Sequence, residues 1–152
     1  MSTLPSASHL LNELASNGDY SGLQLLCASS KFTQEEVDTA FRKCIKAYKD
    51  RDTPFMRCTS LFIQMTMDIN YRNPNYNNTT ILMYAIEENK EGPCDLIMSC
   101  VSSEIDSNIC DNNNETCLFK LVKNKTFQAD PSYKLNHQYL NNLLYKFVRY
   151  VL

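Results

Sequence analysis

Apolar residues recur at spacings of three and four along most of the chain, which predicts a series of amphipathic helices. Thr33 and Glu36 form a capping box at the start of one such helix, and Thr53-Pro54 places proline at the start of the next. The apolar stripes of these two helices are Val37, Ala40, Phe41, Cys44, Ile45 and Tyr48, then Phe55, Cys58, Phe62 and Met65. Only three glycines and five prolines interrupt the 152 residues. The chain is therefore expected to be predominantly helical.

A longer pattern returns in the second half of the chain. Asp68-Ile69-Asn70 recurs as Asp106-Ser107-Asn108, and the segment 80–85 recurs as 116–121. The offset is 38 residues for the first element and 36 for the second, so the first connecting loop should be two residues longer. Recurrence at this interval indicates stacked helix pairs, none of which can bury its apolar face alone.

The repeated segment resembles the ankyrin family, whose hairpin and first helix read D-x-x-G-x-T-P-L-H-x-A. The matching positions are Asp111, Asn114, Thr116, Leu118 and Leu121, and one repeat earlier Asn75, Asn78, Thr80, Leu82 and Ala85. Asparagine replaces both family glycines, and it also tolerates the left-handed backbone of a tight turn. The family proline and histidine are replaced by Ile81 and Met83, then by Cys117 and Phe119.

An earlier segment, Leu14-Ala15-Ser16-Asn17-Gly18-Asp19, resembles the turn between the two helices of the same unit. Gly18 should end the first helix and Asp19 should begin the second. The resemblance spans about residues 9–124 and is strongest over 68–121 and weakest over 33–60. It implies an all-α, ankyrin-repeat-like solenoid of about four helix pairs with hairpin fingers. We expect a single domain, 1–152, with approximate units 6–31, 33–70, 71–108 and 109–152.

The last segment, 132–152, departs from the family pattern. Its apolar residues recur at helical spacing and predict a closing amphipathic helix, reached through the insertion Asn124–Pro131. They are Leu140, Leu143, Leu144, Phe147, Val148 and Val151. Because the stripe continues to Leu152, we expect either a partner or further natural chain to cover its apolar edge.

The ankyrin resemblance also implies a binding surface. Family members usually hold a protein partner on a concave face made from the hairpin tips and the exposed side of each first helix. The corresponding tip residues are Tyr76, Asn77, Thr79, Asn112, Asn113 and Glu115, and the helix positions are Tyr84, Glu87, Lys120 and Lys123. Tyr76 and Tyr84 are the expected anchors, since aromatic side chains offer large contact area at low entropic cost. The implied function is a protein-protein interaction module or an assembly subunit.

Charge is unevenly distributed about the net value of −2, because residues 117–152 hold six of the 15 Lys and Arg but one of the 17 Asp and Glu. Lys134, Lys146 and Arg149 are a possible second contact, with an acidic protein or with an RNA-containing particle such as the ribosome. A solvated face is the plainer interpretation. A further basic stripe, Arg42, Lys43, Lys46 and Lys49, is expected to be exposed, whereas Met65, Met67, Met83 and Met98 are expected in the core.

Catalytic and metal-binding signals are weak. The seven cysteines contain no C-x-x-C spacing, and most occupy positions that suit a small core residue. His9 and His137 lie in no recognisable motif, and no glycine-rich phosphate loop is present. We expect no enzyme, cofactor, metal or small-molecule substrate. A hydrolase with a cysteine nucleophile is a third alternative, and it would need one unusually reactive cysteine.

Targeting signals are also missing from the sequence as given. The apolar runs are too short for a membrane span and the N-terminus does not resemble a signal peptide, so an intracellular protein, cytoplasmic or nuclear, is expected. The four N-x-T sequons, at Asn77, Asn78, Asn114 and Asn124, are therefore interpreted as turn asparagines.

Overall fold

The computed structural model describes residues 6–49, 53–127 and 134–152, without the side chains of 125–140. The helices are α1 (Ala7–Asn17), α2 (Tyr20–Ser29), α3 (Gln34–Ala47), α4 (Thr53–Met65), α5 (Ile81–Glu87), α6 (Glu91–Val101), α7 (Cys117–Phe127) and α8 (Lys134–Tyr150). Two short 3₁₀ turns cover Pro74–Tyr76 and Ser102–Glu104. No strand occurs in these ranges, and the prediction of an all-α chain is confirmed. Lys134 and His137, both considered above as candidate functional residues, have side chains outside the described part of the chain.

The chain divides into two compact units, 1–68 and 69–152. In the first unit α1 packs on α2 and α3, and α4 packs on α2 and α3, so that two helix pairs lie side by side. Leu11, Leu23 and Phe41 are fully buried between them. Phe41 stacks on Phe62 with ring centroids 5.4 Å apart. The apolar stripes of α3 and α4 thus meet each other within this core.

The turn between α1 and α2 follows its sequence signals. Gly18 adopts the left-handed conformation (φ 65°), and its N–H faces the carbonyls of Leu14 and Ala15 at the end of α1. A Cβ at position 18 would also lie 3.0 Å from the ring of Phe55. The Asp19 carboxylate then accepts a hydrogen bond from the Gly22 N–H (2.9 Å) and caps α2. The predicted helix end and helix start are both confirmed.

The second unit is built from two further pairs, α5 with α6 and α7 with α8. α7 packs on α5, and α8 packs on both α6 and α7. Leu82, Ile86, Ile97, Leu121 and Phe147 supply the buried apolar side chains of this core. Thr80 caps α5 through the N–H of Met83 (3.3 Å), and Thr116 caps α7 through the N–H of Phe119 (3.2 Å). The two helix starts that the repeat aligns are therefore equivalent.

Arg42 and Met67, both in the first unit, do not have the burial that the sequence predicts. Arg42 is fully buried rather than exposed, because Asp38, one turn earlier on α3, accepts a hydrogen bond from its Nε at 2.7 Å and neutralises it inside the core. Met67 is exposed rather than buried. It follows the end of α4 at Met65, where helical spacing no longer determines which side a residue faces.

Replacing Leu82 with alanine should lower the free energy of unfolding by about 2–5 kcal/mol, because it removes a fully buried side chain from the α5 core. Leu118→Ala should cost less, since its side chain is half-buried. Urea denaturation measures both. Leu25→Ala, at an exposed position on α2, is the control and should stay within about 0.5 kcal/mol of the parent. A Leu82→Ala variant with the same free energy of unfolding as the parent would contradict the burial of Leu82 in the α5 core.

Candidate functional site

Residues 73–79 form the loop that precedes α5, here called the first finger. Asn73 pairs with Thr79 in an isolated antiparallel bridge, with the Asn73 N–H donating to the Thr79 carbonyl at 3.2 Å. The Asn73 side chain is buried and accepts a hydrogen bond from the Asn75 N–H (3.0 Å). The finger is thus closed by its own backbone and by one asparagine.

Residues 111–115, the second finger, repeat this design in a shorter form. The Asp111 N–H donates to the Glu115 carbonyl (3.1 Å), and the Asp111 carboxylate accepts from the N–H groups of Asn113 (2.9 Å) and Glu115 (3.0 Å). The second finger closes over four residue steps and the first over six, so the predicted difference of two residues is confirmed. The structural counterpart of Asp111 is however Asn73, not Asn75, because the two extra residues lie inside the first finger.

Asparagines provide the left-handed turns of both fingers. Asn78 (φ 56°) and Asn114 (φ 60°) adopt the left-handed conformation that the sequence predicts for them, and Asn77 (φ 60°) adds a third such residue. Asn124 differs from its prediction as a turn residue. It lies within α7, and its side-chain amide donates to the carbonyl of Ile86 at 2.9 Å.

Asparagine hydrogen bonds also join one finger to the other. The Asn112 N–H donates to the Asn77 carbonyl (3.0 Å), and the Asn78 amide donates to the Asn112 side-chain oxygen (2.7 Å). A similar link joins the segments that precede the two fingers. The Asn70 side-chain amide donates to the Glu104 carbonyl (2.7 Å), and the Asn70 side-chain oxygen accepts from the Asp106 N–H (2.9 Å). The two fingers are therefore held in a defined relation to each other.

Tyr76 of the first finger packs edge-to-face on Tyr84 of α5, with ring centroids 5.7 Å apart and planes at 73°. Both side chains are half-buried, so each ring supports the other while part of its surface stays accessible. Thr79, expected at the finger tip, is instead buried. Its hydroxyl donates to the Tyr76 carbonyl (2.7 Å), because the closing bridge turns it inward.

Lys120 of α7 is buried at the centre of an ion cluster, contrary to its expected exposure. Its ammonium lies 2.7 Å from the Asp111 carboxylate, 2.5 Å from that of Glu87 and 3.1 Å from that of Glu115. Lys123, which is exposed, adds a contact of 3.2 Å to Glu115. A buried ammonium is stable only when it is paired in this way. The cluster fastens the second finger and α5 to α7.

Electrostatics within this cluster favour the charged forms of Asp111, Glu115 and Lys120. Burial alone would raise the pKa of Asp111, but hydrogen bonds from Lys120 and from two backbone N–H groups lower it below its usual value. The Lys120 hydrogen bond also lowers the pKa of Glu115. Burial disfavours the charged Lys120, and the three carboxylates overcome this and raise its pKa.

The remaining predicted contacts divide by exposure. Five of them are exposed: Asn77, Glu87, Asn112, Asn113 and Lys123. Glu115 is half-buried, as are Tyr76 and Tyr84. We call the surface formed by the exposed and half-buried members of the predicted set the finger face: Tyr76, Asn77, Tyr84, Glu87, Asn112, Asn113, Glu115 and Lys123. Of the second, basic set, Lys146 forms an ion pair with Asp95, while Arg149 is exposed.

None of the seven cysteines belongs to the finger face. Burial raises the pKa of the Cys117 thiol to about 12. The hydrogen bond with Cys58, together with burial, raises the pKa of Cys44. Within the described part of the chain no group of three or more His, Cys, Asp or Glu is arranged to hold a metal ion. No helix in that part is long and apolar enough to cross a membrane.

No protein-family model matches this chain, and the search of curated proteins found no significant match. The family resemblance therefore stands on the motif residues alone.

Lys120→Met should lower the free energy of unfolding at pH 7 by about 3–5 kcal/mol, because it leaves Asp111 buried without its cation. The carboxylates have lowered pKa values, so their stabilisation is present above the ordinary values of 3.8 and 4.5 and is lost as the pH falls through the folded values. The difference between parent and variant should thus shrink towards pH 3. Urea melts across this range measure it, with the exposed Lys46→Met as control. A difference in unfolding free energy that does not change with pH would contradict the role given to the ion cluster.

Iodoacetamide should label the exposed Cys100 first in the native protein, because a thiolate must be both formed and accessible to react. The buried Cys44, Cys58, Cys94 and Cys117 should react only after unfolding. Peptide mass spectrometry over a time course reads the order. Rapid native labelling of Cys117 would instead favour the hydrolase alternative.

Proposed function

We propose that this chain is an ankyrin-like solenoid that binds a protein partner through the finger face. Two fingers of equivalent design, each followed by a threonine-capped helix, support the repeat interpretation. Successive pairs α5 with α6 and α7 with α8 pack side by side, as a repeat stack requires. The proposed role is that of an interaction module or of a subunit in a larger assembly.

The observation that carries this proposal is the direct bonding of one finger to the other. Asn77, Asn78 and Asn112 join the fingers through a backbone and a side-chain hydrogen bond. A surface that is ordered before it meets a partner loses less conformational entropy on binding. The fingers therefore present their exposed polar tips as a preformed surface rather than as two independent loops.

The chemistry of the finger face suits a polar, hydrated protein interface. The half-buried Tyr76 and Tyr84 supply aromatic area, and exposed amides around them supply hydrogen-bonding groups. Glu87 and Lys123 give the rim both signs of charge. Such a rim selects a partner with the complementary arrangement and rejects one with like charges in the same places.

The alternative partner, an RNA-containing particle, draws less support from the side chains. Lys120 is buried among carboxylates, and Lys146 is paired with Asp95, so both offer less positive charge to a phosphate backbone than the sequence implies. Arg149 and Lys123 are the exposed cations in the described part of this basic end. The finger face is therefore the preferred proposal.

Replacing Asn113 with arginine should abolish partner capture while leaving the melting temperature nearly unchanged. Its side chain is exposed at the second finger tip, and the Asn113 N–H can still donate to Asp111. Tyr76→Ala should also weaken capture, at a cost of about 0.5–1.5 kcal/mol in stability from the lost aromatic pair. Asn17→Arg, at an exposed position in the first unit, is the matched control.

The measurement is affinity capture of the intact chain from its native lysate, with and without nuclease, followed by mass spectrometry. A discrete protein set that survives nuclease, is retained by Asn17→Arg and is lost with Asn113→Arg is expected. Capture that disappears with nuclease would establish the RNA alternative. Capture unaffected by Asn113→Arg would show that the finger face is not the contact surface.

A further inference from the structure

The last helix pair has a second surface that the finger face does not include. α7 meets α5 through Lys120, which pairs with Glu87, and through Asn124, which donates to the Ile86 carbonyl. Val122 lies two residues from each of these positions, about 200° around the helix, and Phe119 lies about 100° from Lys120 and about 140° from Asn124. They therefore lie on the side of α7 away from α5, and they are 51% and 46% exposed.

The same two positions are buried one repeat earlier. At the offset of 36 residues, Met83 corresponds to Phe119 and Ile86 to Val122. Met83 and Ile86 are each 1% exposed, in the helix on which α7 packs. Phe119 and Val122 thus have the residue type and the register of positions that a neighbouring helix covers within the stack.

α8 extends this surface. Lys146 and Tyr150 border a groove with Met98 of α6, so they mark the side of α8 that faces the preceding pair. Val148 lies two residues from each of them along α8, on the opposite side, and is 51% exposed. Since α7 and α8 pack on each other, we call the sides that they turn away from α5 and α6, with Phe119, Val122 and Val148, the end face. Exposed apolar residues grouped in this way are typical of an interaction surface.

Charge specifies what fits there. Within the stack, Glu87 of α5 meets Lys120 of α7. The residue at the register of Glu87 is Lys123, so the sign is reversed; its side chain pairs with Glu115 at 3.2 Å and remains 45% exposed. A covering helix therefore needs a carboxylate where α7 has its lysine. Arg149, also exposed on α8, adds positive charge, and two copies meeting end face to end face would bring like charges together.

We propose that the end face docks an amphipathic helix from another protein, with apolar residues at a spacing of three and four and an acidic residue opposite Lys123. The contact would extend the stack by the same packing that α7 makes on α5, with the charges exchanged. The end face meets the finger face at Lys123, whereas Phe119 and Val122 lie outside the finger face, so their substitution tests this proposal apart from the function proposed above.

The test uses two labelled, helix-stapled peptides of residues 116–127 with Cys117→Ala, one of which also carries Lys120→Glu. These copy the segment that covers α5, and fluorescence anisotropy measures their binding to the intact chain. The Glu peptide should bind about threefold to fivefold more tightly than the Lys peptide. Lys123→Glu in the intact chain should reverse this preference, and Phe119→Glu with Val122→Glu should abolish binding of both.

Two control variants locate the contact. Leu25→Glu, at an exposed apolar position in the first unit, and Asn113→Arg on the finger face should both leave peptide binding unchanged. Circular dichroism checks that every variant is folded. The proposal is overturned if neither peptide binds, if the charge at position 120 makes no difference, or if binding survives the double substitution. It is also overturned if sedimentation equilibrium shows that the chain dimerises through this face, since a second copy would then be the occupant.

Discussion

The burial of Lys120 is the constraint on which the second unit depends. One ammonium, on a buried lysine side chain, lies between carboxylates from α5 and from both ends of the second finger. Removing an ion from water is expensive, so the arrangement is stable only while all these groups keep their positions. The position of the finger is thereby coupled to the packing of the helices behind it. The proposed binding surface is in this sense an extension of the core.

Asparagine has an unusual share in this architecture. It forms the left-handed turns, closes the first finger through Asn73, and bonds one finger to the next through Asn112. Glycine could supply the turns but not the side-chain hydrogen bonds. In this chain, the residues that shape the fingers therefore also hold them together. A single residue type accounts for the form of the surface and for its rigidity.

Helix starts, helix ends and the left-handed asparagines were predictable from the sequence, because caps and turns depend on neighbours within four residues. The difference in finger length followed from the two repeat offsets. The burial of Lys120 and Arg42 was not predictable in this way. Charged residues are assigned to the surface by default, and only the spatial approach of Asp111 and Glu87, or the pairing with Asp38, reverses that assignment. Thr79 was misplaced because the closing bridge depends on the true register of the first finger.

The sequential order of the packing has a consequence for how the chain reaches its structure. In the described ranges, the principal helix contacts join elements that are adjacent or next but one along the chain, as α1 with α3 or α6 with α8. Contacts so close in sequence need little loop closure before they form, and proteins rich in them fold quickly. Within each unit, the first pair also offers a template to the second as it emerges during synthesis. The first compact unit can thus assemble on the ribosome before the second has been translated.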